Sequence, residues 1–576
     1  MKRVGVGLVV LVCSGCEGAS GGGLSRPVAV FPSKSEIENV MGGDAKPVAQ
    51  VKTVDVPTWT IKTAVPAPNA AYPAETAWDH YFAEHLADKA KLSAALRCAA
   101  TETARYFVEA GGYPDDGTRR YLVERCGSTL PTAQLGYLNG DVPDSVTDAV
   151  LIDKYKKSIE ELLSSGPIES AAQLGFGAAR EKGKVAIVVL AGSPKAELGN
   201  FSPLVPGTSF ELSGKVSADS VFALALVNKG AAGVATCEPD RRLKLPAVAF
   251  TCPFDASDAQ ARVEIATRKA DRVLMNVELA ALVRHEDDAG LTYAPSAVGT
   301  DAVAADATAF QTALFAELNE VRAKAGSSPL ALEPKQSDVN ERLAPHLYVA
   351  STGGDAALAD RIGLGVLAGW DVGGVIRDGG IYWGSVTSTR SPTRFLSYAL
   401  ESPFGRYILL DPQMSRIAVG ASALPPSGAM ALLTTYSLFQ GKDHTADENT
   451  LFAELTKRRL ARNHSAPKRT EREVALATAL ARVATHTATT GDAMHEAMDR
   501  VVTNEGRSVG AWVVETADLR QIPWTEAILT EEPLEVEIGV THYKAPGGAW
   551  GQYAVMVLTR KPASLRTATG AGPHAL

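Results

Sequence analysis

The chain has no excess of basic residues: 57 Lys and Arg stand against 65 Asp and Glu, a formal charge of −8. It therefore lacks the electrostatic footprint that a phosphate backbone requires, and nucleic acid is not an expected partner. The same balance gives no general attraction to anionic lipid, so any membrane attachment has to be local. Long apolar runs are missing near the N-terminus, where Val4 to Val12 falls well short of the ~20 residues of a spanning helix. Cysteine is scarce, with six in the chain, and the four beyond Cys16 include no CxxC pair and no His at ligand spacing. Catalytic signatures are also thin. Ser385, in Trp383-Gly384-Ser385-Val386, lacks the second Gly of a nucleophile elbow. The Gly-rich run from Gly365 to Gly384 has no following Lys-Ser/Thr and is not a phosphate loop. Asp371, Arg377 and Asp378 in that run are groove candidates, though tight turns explain the glycines equally well.

What is present begins at the N-terminus. Lys2 and Arg3, a short apolar stretch and Cys13-Ser14-Gly15-Cys16 form an export leader over residues 1–16. Small residues followed by Cys resemble a bacterial lipobox with Cys16 as the lipidated residue; Cys13 replaces its usual Leu, and a non-lipidated leader is the alternative. The expected place is thus a membrane-anchored lipoprotein on the periplasmic or cell-surface side, including the outer membrane. Cys98, Cys126, Cys237 and Cys252 form two close pairs, and an even number in an exported chain favours the disulfides Cys98–Cys126 and Cys237–Cys252 over a zinc site.

At roughly 100–200 residues per domain, 576 residues should hold about three to five domains. Residues 17–75, rich in Pro, Gly and Ala, read as a flexible linker. Apolar steps of three and four from Trp78 to Val108 give one helix, or two broken near Lys89. With Leu151–Leu163 as a further helix and Leu174–Ala178 and Val185–Leu190 as strands, residues 76–195 read as an α/β domain. Short alternating strands at regular spacing over 200–285 read as an immunoglobulin-like β-sandwich spacer. Further on, Leu314-Phe315-Ala316-Glu317-Leu318 recurs as Leu451-Phe452-Ala453-Glu454-Leu455, each opening a long helix. Each segment then runs to a His (His346, His486) and closes on two strands, which points to duplication: one copy at 306–440, a divergent one at 448–562, and a third, more distant, in 76–195. Residues 563–576 read as a flexible tail.

The middle copy carries a family resemblance. Glu317–Gly326 followed by Pro329-Leu330-Ala331-Leu332, then Glu401-Ser402-Pro403-Phe404-Gly405-Arg406 through Asp411-Pro412 and Arg416-Ile417-Ala418-Val419-Gly420, resembles bacterial members of the CAP superfamily. These are proteins related to cysteine-rich secretory proteins, antigen 5 and pathogenesis-related proteins, with SCP-like domains. The resemblance implies a mixed α/β (α+β) fold of α-β-α sandwich domains. It also implies a groove where two His and two acidic residues gather, sometimes around a divalent metal such as zinc. His346 matches the first His, while Gly405 stands where the second would be and Val375 where a Glu would be. Pro345 makes a regular helix at His346 doubtful. In the last copy His486 and Glu515 are the corresponding pair, with no second His. About three protein ligands is the usual minimum for zinc, so no cofactor is expected. His495 and His542 have no partner legible in the sequence and read as surface residues. The run Lys457-Arg458-Arg459 with Arg462 reads as a solvated helix face. Trp383, Trp512, Trp524 and Trp550 read as core in preference to glycan-stacking surfaces.

The resulting expectation is a non-catalytic binding or structural module of the cell envelope, with an envelope protein, glycan or lipid as partner. Two alternatives stand beside it: a hydrolase, metal-dependent or built on His486 and Glu515, and a lipid or sterol carrier suggested by the family alone.

Overall fold

The computed structural model of the chain describes residues 9–12, 31–47, 53–54, 56–67, 70–86, 91–199, 201–255, 258–270, 274–285, 291–294, 302–441, 443–470, 474–505, 509–517, 519 and 522–562. Cys16, the rest of the leader beyond Val9–Val12, residues 17–30 and the tail 563–576 lie outside the described residues. The chain divides into two compact units. One holds the first α/β body, the sandwich and most of the middle body; the other holds Gly373–Asp378 and the last body from Ser437 onward.

The fold is mixed α and β, and one sheet order occurs three times. In the first body the order is Lys91–Leu92, Gln173–Glu181, Lys184–Gly192, Gln134–Asp141. In the middle body it is Ala331–Leu332, Arg416–Leu424, Gly428–Leu438, Ile376–Val386, and in the last Lys468–Arg469, Glu535–Lys544, Gly551–Arg560, Val509–Thr516. Each time the short strand pairs in parallel with its neighbour and the next two strands form an antiparallel hairpin. Val9–Val12 adds an antiparallel strand at the open edge of the middle sheet, so removing a leader would leave the other four strands paired as they are.

The reason for this recurrence is visible in the period of the hairpin strands. On Lys184–Gly192, Ala186, Val188 and Leu190 face a core with Leu96, Ala100 and Val123, while Val185, Ile187 and Val189 face another with Phe82, Ile159 and Leu162. The last body repeats this, with Ala554, Met556 and Leu558 toward Leu476 and Leu480, and Val555 and Val557 toward Leu451 and Leu455. A strand apolar on both faces has to be covered by helices on both faces. In the middle body Phe310, Phe395 and Tyr382 make edge-to-face contacts on one side, while Asn340 reaches Thr434 on the other.

One helix in each body lies unusually close to its sheet. Four residues past the point where the short strand pairs (Lys91↔Gln173, Ala331↔Arg416, Lys468↔Glu535) stands a glycine: Gly177, Gly420 and Gly539. A Cβ at Gly177 would overlap Thr101 N, and one at Gly420 would overlap Glu341 N. One at Gly539 would come 2.5 Å from Leu480 Cδ1. At Gly177 and Gly420 only a missing side chain permits such an approach, while at Gly539 the neighbour is the tip of a side chain. This register sets Gly420 level with Gly539, and Ile417 level with Val536.

Residues 197–285 form two sheets, Leu204–Val205, Asn276–His285, Gln260–Lys269, Ser220–Lys229, Gly233–Thr236 and Glu238–Pro239, Ala247–Pro253, Ser209–Lys215, Glu197–Leu198. Val227, Val263, Leu279 and Val283 of one pack with Leu212, Val248 and Phe250 of the other in a shared core. The disulfide Cys237–Cys252 lies in that core, and Cys98–Cys126 joins two helices of the first body. Closing loops with separations of 15 and 28 residues restricts the unfolded chain by roughly 3–4 kcal/mol each.

Three expectations need correction. First, much of the supposed linker is folded. Lys34–Met41 is a helix opened by a capping box, Ser33 with Glu36. Trp59–Thr60 pairs with Thr292–Tyr293, and Ile61 is buried. Buried Glu102 holds this stretch by accepting from Trp59 Nε1 (3.2 Å), Thr63 N (2.7 Å) and Thr63 Oγ1 (2.6 Å). Burial pushes that carboxyl up, but the bonds from Arg105 and Thr63 outweigh it and leave the pKa below its ordinary value. Second, the helix Pro334–Gly353 runs through Pro345, carrying His346 with it. Third, Arg459 is fully buried and not part of a solvated face, whereas Lys457, Arg458 and Arg462 of the same run are exposed.

Candidate functional site

His346 is half-buried on the helix Pro334–Gly353. Burial pushes its imidazole below the ordinary value, with Asp44 pulling weakly the other way. The backbone beside it is the chain's own N-terminal segment: a Cβ on Gly43 would lie 3.7 Å from His346 Cε1. That segment is fastened at several points. Ile37, 2% exposed, fills the notch left by Gly365, where a Cβ would overlap it. Lys34 Nζ meets Asp371 Oδ1 at 2.6 Å, and Trp370 Nε1 donates to Pro32 O at 3.1 Å.

Gly405, where the resemblance would have its second His, has no room for a side chain. A Cβ there would overlap Ala399 O, a backbone atom, so any side chain requires the loop to move. Arg406, next in the family-like stretch, has a structural role: it donates to Leu400 O (2.6 Å), Gly230 O (2.8 Å) and Gly233 O (2.7 Å) and so clamps a turn of the sandwich. Among the described residues no three His, Cys, Asp or Glu side chains gather to hold a metal ion.

In the last body His486 and Glu515 stand on either side of Tyr543. The His486 and Tyr543 rings meet edge to face with centroids 6.0 Å apart. Gln552 Nε2 donates to Tyr543 Oη at 2.6 Å and to Glu515 Oε2 at 2.9 Å, while Thr490 Oγ1 donates to Glu515 Oε1 at 2.5 Å. Burial, and then the Glu515 carboxylate, push the Tyr543 phenol up to about 12. Both His486 and Glu515 are themselves exposed, so water screens the pair and no dry pocket encloses it.

Sequence reading missed one constellation. His542, expected at the surface without a partner, takes a 2.9 Å hydrogen bond between its Nδ1 and His444 Nε2, and His444 Nδ1 lies 2.8 Å from Asp447 Oδ2. Phe439 stacks on the His542 ring with centroids 4.6 Å apart and planes at 7°. Such a chain can hold and pass a proton, the carboxylate fixing the tautomer of the middle imidazole. No local signal could have revealed it, since the two His are 98 residues apart. Of the tryptophans, Trp383 (2% exposed) and Trp524 are buried and half-buried Trp512 stacks on Trp524 at 5.4 Å, while Trp550 is half-buried.

No family model and no curated protein matches the chain. Among solved structures, an extracellular protein containing a SCP domain from Bacillus anthracis str. Ames shares 16% identity at a TM-score of 0.18, over 46% of this chain and 81% of that one. A cysteine-rich secretory protein from Staphylococcus aureus subsp. aureus Mu50 shares 10% identity at a TM-score of 0.17, over 46% of this chain and 82% of that one. Likenesses at these scores are distant and carry no argument about role. No helix among the described residues is long and apolar enough to cross a membrane.

Proposed function

We propose that the chain is an exported, lipid-anchored cell-envelope protein whose degenerate CAP-like copies, separated by an immunoglobulin-like spacer, act as a non-catalytic binding or structural module. The observation that carries this reading is the state of the middle groove. Its His346 faces the backbone of residues 31–47, and the position of its second His has no room for a side chain. Catalysis or tight zinc binding needs several polar groups converging on one point, and here they do not converge. Support for export comes from the charged, short-apolar leader and from two disulfides, which persist in oxidising compartments. The partner then falls among envelope proteins, glycans and lipids.

A second reading, a hydrolase in the last body, has Tyr543 in its favour as a link between His486 and Glu515. Its His486 and Glu515 are both exposed, so water screens them. The two readings separate in an assay of the full-length protein on peptide, ester and glycan substrates beside His486→Ala. The module reading expects turnover at background level in both proteins. Turnover that falls a hundredfold or more in the variant establishes the hydrolase instead.

A further inference from the structure

The first unit contains a cavity whose lining does not include His346 or Gly405. Its volume is about 100 Å3, and its walls come from the first body, the sandwich and the middle body. Three polar atoms on its lining residues are buried with no hydrogen-bond partner: Arg119 Nη1, Arg120 Nε and Ser385 Oγ. Arg119 is 4% and Ser385 7% exposed, so water outside does not serve them. Burying three such atoms unpaired costs several kcal/mol by ordinary desolvation, and a site that tolerates this is poised for an occupant.

The surrounding charges define that occupant. Arg119 Nη2 is paired with Asp116 at 2.5 Å, and Arg120 lies 3.8 Å from Glu401. Arg262 is shared between Glu124 (2.7 Å) and Glu401 (3.4 Å). Asp115 accepts from Tyr398, and Glu264 accepts from Ser402 Oγ at 2.8 Å and Phe404 N at 3.0 Å. Three guanidinium groups thus face five carboxyls. That excess of acidic groups repels further negative charge. An anion is therefore disfavoured. The unpaired atoms need a neutral group that offers a strong acceptor to two N–H donors and a donor to a hydroxyl. Apolar walls at Val123, Val277 and Phe395 leave room for a methyl group.

We propose that this cavity binds a secondary amide. Its carbonyl oxygen accepts from Arg119 Nη1 and Arg120 Nε, its N–H donates to Ser385 Oγ, and its methyl lies against the apolar walls. An acetamido group on a sugar and a peptide amide share this chemistry. The site does not rest on the reading of the family-like stretch: its three unpaired atoms belong to Arg119, Arg120 and Ser385, although Ser402 of that stretch lies in its lining.

The test is calorimetric titration of the full-length protein with N-methylacetamide, N-acetylglucosamine and sodium acetate, each to 100 mM on the order of the weakest affinities such small groups show. N-methylacetamide is expected to saturate and acetate to give no binding. N-acetylglucosamine binding more tightly than N-methylacetamide places the amide on a sugar; N-methylacetamide alone binding places it on a peptide. Ser385→Ala, which removes an atom that bonds nothing in the protein, should fold normally and weaken the amide about tenfold. Ser385→Leu fills the space and should abolish binding. The proposal is overturned if no amide binds, if acetate binds better than the amide, or if Ser385→Ala leaves the affinity unchanged.

Discussion

Replacing Arg322 by Met is expected to destabilise the middle body by about 4 kcal/mol, among the largest effects of any single change in it. The Arg322 side chain is fully buried, on the helix Ala307–Lys324. Its guanidinium donates to four carbonyls: Ser328 O (2.9 Å), Leu409 O (2.6 Å), Asp411 O (3.0 Å) and Met414 O (3.2 Å). It therefore ties the end of one helix to the loop that leads into the hairpin. Met approximates the volume but returns none of the bonds, and it leaves buried carbonyl oxygens unpaired. Arg322→Lys keeps the charge without the planar fork and should recover less than half of the loss. Arg459 has the same part in the last body, donating to Ser465 O (3.0 Å), Ile528 O (2.8 Å) and Glu532 O (2.8 Å). Arg459→Met should therefore lower the stability of that body by a similar amount. Hydrogen exchange of the amides around 409–414 and 528–534 reads each effect locally. Unchanged protection in both variants would mean that the buried arginines are dispensable.

Gly420→Ala is expected to cost about 3 kcal/mol, at the upper end of overpacking effects, because the new methyl overlaps backbone and not a yielding side-chain tip. Gly177→Ala in the first body meets the backbone of Thr101 and should behave alike. Gly353→Ala is the control. Nothing lies within 4 Å of a Cβ there, and the site is helical, so the change should be neutral or stabilising by about 0.5 kcal/mol. Denaturant midpoints of the three variants decide the matter. Equal midpoints for Gly420→Ala and Gly353→Ala would contradict the close helix–sheet contact.

The contrast between these residues also says what the sequence made legible. Period-two apolar runs and the LFAEL pentapeptide pointed to the strands, the helices and the recurrence, because core burial imposes those patterns directly. Arg459 was misread because a basic run usually faces water. Yet Leu451, Leu455 and Arg459 fall at steps of four on one helix face, and that spacing places the guanidinium inward with the leucines. The helix Lys34–Met41 was hidden by Pro- and Gly-rich surroundings, although Ser33 and Glu36 spell its capping box. The cavity at Arg119, Arg120 and Ser385 could not be anticipated at all. It exists only where three separate bodies meet, and no spacing along the chain encodes that meeting.

Under the proposed function neither the His346 nor the His486 position assembles a reactive centre. Calorimetric titration of zinc into the full-length protein, beside His346→Ala and His486→Ala, tests it most directly. The account predicts no binding tighter than the weak, unspecific association of a surface His, on the order of millimolar, and no difference among the three proteins. Submicromolar binding that is lost in either variant would contradict it and would identify the body that holds a working site.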